Sequence, residues 1–128
     1  MKNLTLFLLV AMALVGAVIG CGPSGKADTS KLEKSFQSAA AGTKGDAGQA
    51  AAAIKSGDFA KAVTLLQKVI KAGGLTEEQK DGISSAITGM QTVMSQNQNR
   101  YSVELYNSLS DLIDLLEGRQ PVTRPLPK

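Results

Sequence analysis

Read for apolar and polar positions alone, the chain is one uninterrupted apolar run followed by a series of amphipathic stretches. Leu4 to Ile19 holds no charged residue. From about residue 30 apolar residues recur at three- and four-residue steps, the period of a helix with one buried face. Leu32, Phe36 and Ala39/Ala40 share a first face, and Ala47, Ala50, Ala51 and Ile54 a second. Phe59, Ala62, Val63, Leu66, Val69 and Ile70 form the most regular stripe, with Lys61, Thr64, Lys68 and Lys71 opposite. Ile83, Ile87, Met90 and Met94, flanked by Ala86 and Val93, form a fourth. Val103, Tyr106, Leu109, Leu112, Ile113 and Leu116 form the last, with Asp111, Asp114 and Glu117 as its outer stripe.

Helix signals punctuate these stretches. Ser30-Lys31-Leu32-Glu33 and Thr76-Glu77-Glu78-Gln79 both read as capping boxes, a hydroxyl three residues before Glu or Gln. Asp46 and Asp58 stand where N-caps are needed. Gly42 and Gly45 disfavour helix, Gly57 suits a helix end, and Gly73-Gly74 reads as a stop. Gly82 and Gly89 fall inside a strong helical pattern and mark close packing. The expectation is an all-α fold: a small antiparallel helical bundle of about four helices, over 30–41, 46–56, 58–73 and 76–117. The last carries a polar interruption near 96–100, which suits either a turn or a solvated stretch of continuous helix. Short links make neighbours antiparallel.

Charge adds a polarity. The formal net charge is +3. From Lys26 to Lys80 nine lysines face six acids, and from Asp81 to Glu117 five acids face Arg100 alone. Two solvated faces that attract each other account for this. Lys61, Lys68, Lys71, Asp111 and Asp114 are the candidate interaction surface. The carboxylates of the last helix are one-turn neighbours on an exposed stripe, which gives neither the cleft nor the raised pKa of a catalytic pair. The chain contains no His or Trp and a single Cys. A Cys/His zinc site and imidazole-dependent nucleophiles are therefore excluded, and no phosphate-cradling glycine motif occurs. No cofactor, no nucleic-acid partner and no enzymatic activity are expected.

The single Cys closes the apolar run. Met1-Lys2-Asn3 supplies the charged start, and the run is short for a span, which takes about 20 residues. Val18-Ile19-Gly20-Cys21 resembles the lipobox of bacterial lipoproteins, and Gly22-Pro23-Ser24-Gly25 the flexible tether that follows it. The resemblance implies cleavage between Gly20 and Cys21 and lipidation of Cys21. It also implies anchoring in the cell envelope, at the outer membrane facing the periplasm if the host has two membranes, since Gly22 is not Asp. Residues 1–20 are then signal peptide and 21–29 lipidated Cys and free tether. Residues 30–118 are the helical domain and 119–128, with three Pro in seven residues, a disordered tail.

Two further resemblances bear on function. Gly57-Asp58-Phe59-Ala60-Lys61-Ala62-Val63 and Gln67-Lys68-Val69-Ile70 are similar to the second helix of a tetratricopeptide repeat, which implies a helical hairpin over about 46–73. The N-terminal lipid signal and terminal Lys128 resemble the murein lipoprotein family, which joins peptidoglycan through a C-terminal Lys. Glycines at 42, 45, 57, 73 and 74 depart from that family's continuous coiled coil. The resulting expectation is a lipid-anchored, non-enzymatic helical module for another envelope protein. The alternatives are a peptidoglycan-linked structural lipoprotein and a small-ligand-binding lipoprotein.

Overall fold

The computed structural model describes residues 26–120. The apolar run, Gly20, Cys21 and the segment from 121 to Lys128 lie outside the described residues. Within them the fold is all-α: α1 (Ser30–Ser35), α2 (Ala41–Ser56), α3 (Phe59–Ala72), α4 (Glu77–Gln96) and α5 (Val103–Leu116), with a single 3-10 turn at Gln98–Arg100. Of the two readings left open for the polar stretch near 96–100, the turn is the one found: α4 ends at Gln96 and the chain turns over 97–102 before α5.

Two helix starts follow their sequence signals. Thr76 Oγ1 accepts the Gln79 amide at 3.2 Å while Gln79 Oε1 accepts the Thr76 amide at 3.0 Å. Asp58 Oδ1 accepts the Lys61 amide at 3.2 Å and opens α3. Gly57, between α2 and α3, sits at φ 82, the left-handed region that glycine enters without steric cost. Ser102 caps α5 through the Leu105 amide.

Two expected starts are displaced. Ser30 does not cap α1: the helix begins at Ser30, and the Ser30 amide donates to Asp28 Oδ1 at 2.9 Å. The Asp28–Ser30 contact satisfies the orphan amide one step earlier. Gly42 and Gly45 do not separate two helices, nor does Asp46 cap one; all three lie inside α2. A glycine weakens a helix by about 1 kcal/mol relative to Ala. Here Ala47, Ala50, Ala51, Ala53 and Ile54 are buried on that same helix, and Asp46 is held by Lys68 of α3 at 2.9 Å. Tertiary burial overrides the local preference.

The seams fix how the helices run. Asp46 near the start of α2 meets Lys68 near the end of α3, so this pair is an antiparallel hairpin. Lys31 pairs with Asp81 at 2.6 Å while Ala27 meets Gly89, so α1 runs antiparallel to α4. Tyr106 Oη donates to the Met94 carbonyl at 2.8 Å, closing the α4–α5 corner. Phe59 stacks on Tyr101 at 5.3 Å, and further along Gln67 shares a groove with Ser108, so α3 and α5 are parallel. The principal contacts form a closed ring in the order α1, α2, α3, α5, α4. Leu32, Phe36, Ile54, Leu66, Ile83, Ile87, Met90, Met94, Leu109 and Leu112 fill its centre.

This direction of travel gives the bundle two distinct ends. One holds Lys26, the α2–α3 corner and the 96–102 turn. The other holds the α1–α2 link, Gly73–Thr76 and the exit of α5 at Gly118–Gln120. The N-terminal segment therefore enters at one end, and the C-terminal segment leaves from the opposite one.

Two expectations about exposure fail. The segment before α1 was expected to be a free tether as far as Thr29, yet Ala27 and Thr29 are buried. Ala27 docks on α4 at Gly89, where an added Cβ would stand 3.0 Å from the Ala27 Cβ. Val103, expected on the inner face of the last helix, is 66% exposed. Only Leu109 and Leu112 of α5 are fully buried, because α3 and α4 cover one side of that helix.

Candidate functional site

The residues singled out for an interaction surface do not form one patch. Lys61, Lys68 and Lys71 are exposed along α3, as their spacing requires. Lys68 is occupied by Asp46. On α5, Asp111 and Asp114 are half-buried rather than on an outer stripe. Asp114 lies 3.8 Å from Arg119, which also pairs with Glu117. Among the described residues no ion pair joins the α3 lysines to the α5 carboxylates. The basic and acidic halves meet in one ion pair among the described residues, Lys31–Asp81. Lys55–Glu33, Lys68–Asp46 and Lys80–Glu77 all close within the basic half. The two-face attraction expected from charge distribution is therefore replaced by local pairing. Exposed pairs of this kind contribute at most about 1 kcal/mol each.

A different group of residues converges at the end where the N-terminal segment enters. A cleft of about 550 Å³ opens there between the α2–α3 corner and the turn after α4. Ile54, Phe59 and Val93 form its apolar floor, and Tyr101, stacked on Phe59, stands as one wall. Its polar rim is Lys26, Lys55, Gln96, Asn97 and Arg100. Among the described residues no carboxylate lines it.

The rim side chains differ in what they already hold. Lys55 pairs with Glu33, and Asn97 Nδ2 donates to the Val93 carbonyl at 3.0 Å. Lys26, Gln96, Arg100 and the Tyr101 hydroxyl have no hydrogen-bond or ion-pair partner among the described residues, whereas the Tyr106 hydroxyl is satisfied by Met94. Outside the cleft, Asp28 sits in the segment just before α1 and is bonded to Ser30. The Ser30 hydroxyl and then the Ser30 amide hold its carboxyl below the usual range.

The cleft is hard to foresee from sequence, because its residues come from three separate segments and share no periodicity. The one legible hint was the polar run at 95–99, which breaks an otherwise continuous apolar stripe. Among the described residues no group of three or more His, Cys, Asp or Glu side chains is arranged to hold a metal ion. No helix among them is long and apolar enough to cross a membrane. Comparison of the chain with protein-family models, with curated proteins and with solved structures finds no match in any of the three.

Proposed function

We propose that this chain is a lipid-anchored envelope protein, tied to a membrane through Cys21, whose helical bundle presents a non-enzymatic surface to a protein partner. The observation that carries the reading is the polarity of the bundle taken with the lipobox. The described chain starts at Lys26, five residues after Cys21. Those five residues reach at most about 18 Å, at 3.3–3.6 Å each. An anchor at Cys21 keeps the cleft end close to the bilayer and turns the far end, with Gly118–Gln120, away from it. Ala27 and Thr29 belong to the packed bundle, which shortens the free tether and tightens this orientation. Two or more acyl chains hold a protein stably, where one holds it only marginally.

The exposed lysines of α3 and the outward end are the surfaces left for an envelope partner. One observation favours a second reading, attachment to peptidoglycan through Lys128. The segment leading to Lys128 departs from the end opposite the anchor, the side on which such a polymer lies.

Metabolic labelling with a fatty-acid probe tests the anchor. Wild type takes up label and Cys21→Ser takes up none; equal label in both contradicts the proposal. Crosslinking in intact envelopes followed by pull-down identifies the partner. Recovery of chain fragments bound to purified peptidoglycan, lost on deletion of Lys128, selects the second reading.

A further inference from the structure

We infer that the cleft between the α2–α3 corner and the 96–101 turn is a binding site for a phosphate-bearing anion, the headgroup of an anionic lipid being the nearest source. Four residues that line it carry donors without a described partner: the Lys26 ammonium, the Arg100 guanidinium, the Gln96 amide and the Tyr101 hydroxyl. Acidic residues stand nearby but are turned to other work. Glu33 holds Lys55, and Asp28 accepts from Ser30; neither lines the cleft, nor does Asp58, which caps α3. The volume, about 550 Å³, is that of a small-molecule site, with an apolar floor and a few converging polar groups. An Arg fork and a Lys point charge are the side chains that suit phosphate oxygens.

The ligand chemistry stands on the cleft alone. That the ligand is a membrane headgroup rests on the anchoring proposed above, which sets Lys26 on the cleft rim within about 18 Å of the lipidated residue. A glycerophosphodiester then sits at the height of Lys26 and Arg100, and the Tyr101 ring lies at the membrane–water interface, where tyrosine is enriched. The bundle would be held by its lipid and steered by its cleft.

The test is a nuclear magnetic resonance titration of the full chain, purified in a neutral detergent and followed through the Gly57 and Tyr101 amides. The probes are short-chain phosphatidylglycerol, glycerol 3-phosphate and short-chain phosphatidylcholine. Saturable shifts with phosphatidylglycerol or glycerol 3-phosphate, and none with phosphatidylcholine, are expected. A basic residue near an anionic lipid surface contributes roughly fivefold in affinity, so Lys26→Gln with Arg100→Gln should weaken binding about 25-fold. The melting temperature should not move, since neither side chain has a described partner. Lys44→Gln, at the other end of the bundle, should bind as wild type.

Tighter binding of phosphatidylglycerol than of glycerol 3-phosphate supports a membrane source; equal binding supports the anion site with a soluble source. No saturation with either anion, equal binding of phosphatidylcholine, or undiminished binding by the double variant overturns the site. Fatty-acid labelling of Cys21 is read separately. A chain that saturates with the anion yet takes no label retains the site and loses the anchor.

Discussion

α2 and α4 both carry glycines in their interiors, and the same residue does opposite things in the two helices. In α2, an added Cβ at Gly42, Gly45 or Gly48 would meet nothing within 4 Å. These glycines only weaken the helix, which persists because Ala50, Ala51 and Ile54 are buried. In α4, a Cβ at Gly82 would overlap Ser35 Oγ and stand 3.1 Å from the Lys31 carbonyl oxygen. A Cβ at Gly89 would press on Ala27. There the missing side chain is the contact: it lets α1 and the segment before it lie against α4. A glycine inside a helical pattern therefore means weakness or close approach according to what faces it, and only the tertiary partner decides which.

The comparison can be broken most forcefully at the face that holds α2 in place. Leu66 of α3 is fully buried, and Leu66→Ala should cost about 2–5 kcal/mol in urea melts. Lys68→Ala removes only the exposed pair with Asp46 and should cost no more than about 1 kcal/mol. Similar losses at the two sites would mean that burial is not what keeps α2 helical through its glycines.

Gly82→Ala comes next. Helix propensity favours Ala by about 1 kcal/mol, but overpacking against backbone costs about 1–3 kcal/mol, and the net change should be a loss. Part of it should return in Gly82→Ala with Ser35→Ala, which removes the hydroxyl but leaves the Lys31 carbonyl in the way. A stabilised Gly82→Ala would show that α1 does not lie where it is described.

Gly48→Ala is the counterpart in α2, and the sign should reverse. Open space faces it, so thermal melts should show a gain of about 0.5–1 kcal/mol.

These contrasts also separate what was readable in the chain from what was not. The stripes of α3 and α4 were legible in all but Ile70, which is half-buried, because each is long and buried on one face. Thr76 and Asp58 were legible as caps because the hydroxyl or carboxylate, the spacing and the following stripe all agree. Gly42 and Gly45 were misread as a break, since their local cost is real and the burial that offsets it is tertiary. Ala27 and Thr29 give no pattern at all; their docking was signalled only from the other side, by Gly89. The cleft was illegible for the same reason, its lining being drawn from Lys26 and two corners distant in sequence.

The smallest expected effect lies in that docked segment. Asp28 is held below the usual carboxylate range by the Ser30 hydroxyl and amide. A carboxyl whose pKa is lower in the folded state contributes stability that is complete above its unfolded value, about 3.9, and is lost as the pH falls. Wild type should therefore lose slightly more stability than Asp28→Asn on acidification below about pH 4, measured by paired urea melts. Equal losses would show that the Asp28–Ser30 contact does not hold the segment.

The central claim is that the bundle is polar, with the N-terminal segment entering at one end and the C-terminal segment leaving at the other. Spin labels at Lys26→Cys and Gln120→Cys in a Cys21→Ser background measure this directly by pulsed dipolar spectroscopy. The axial rise of α5 alone, 14 residues, separates the two ends by about 21 Å. A single distance distribution centred at or beyond about that value is the predicted result. A distribution centred at less than about half of it would place both exits at one end, contradicting the orientation on which the anchored reading and the cleft's approach to the membrane depend.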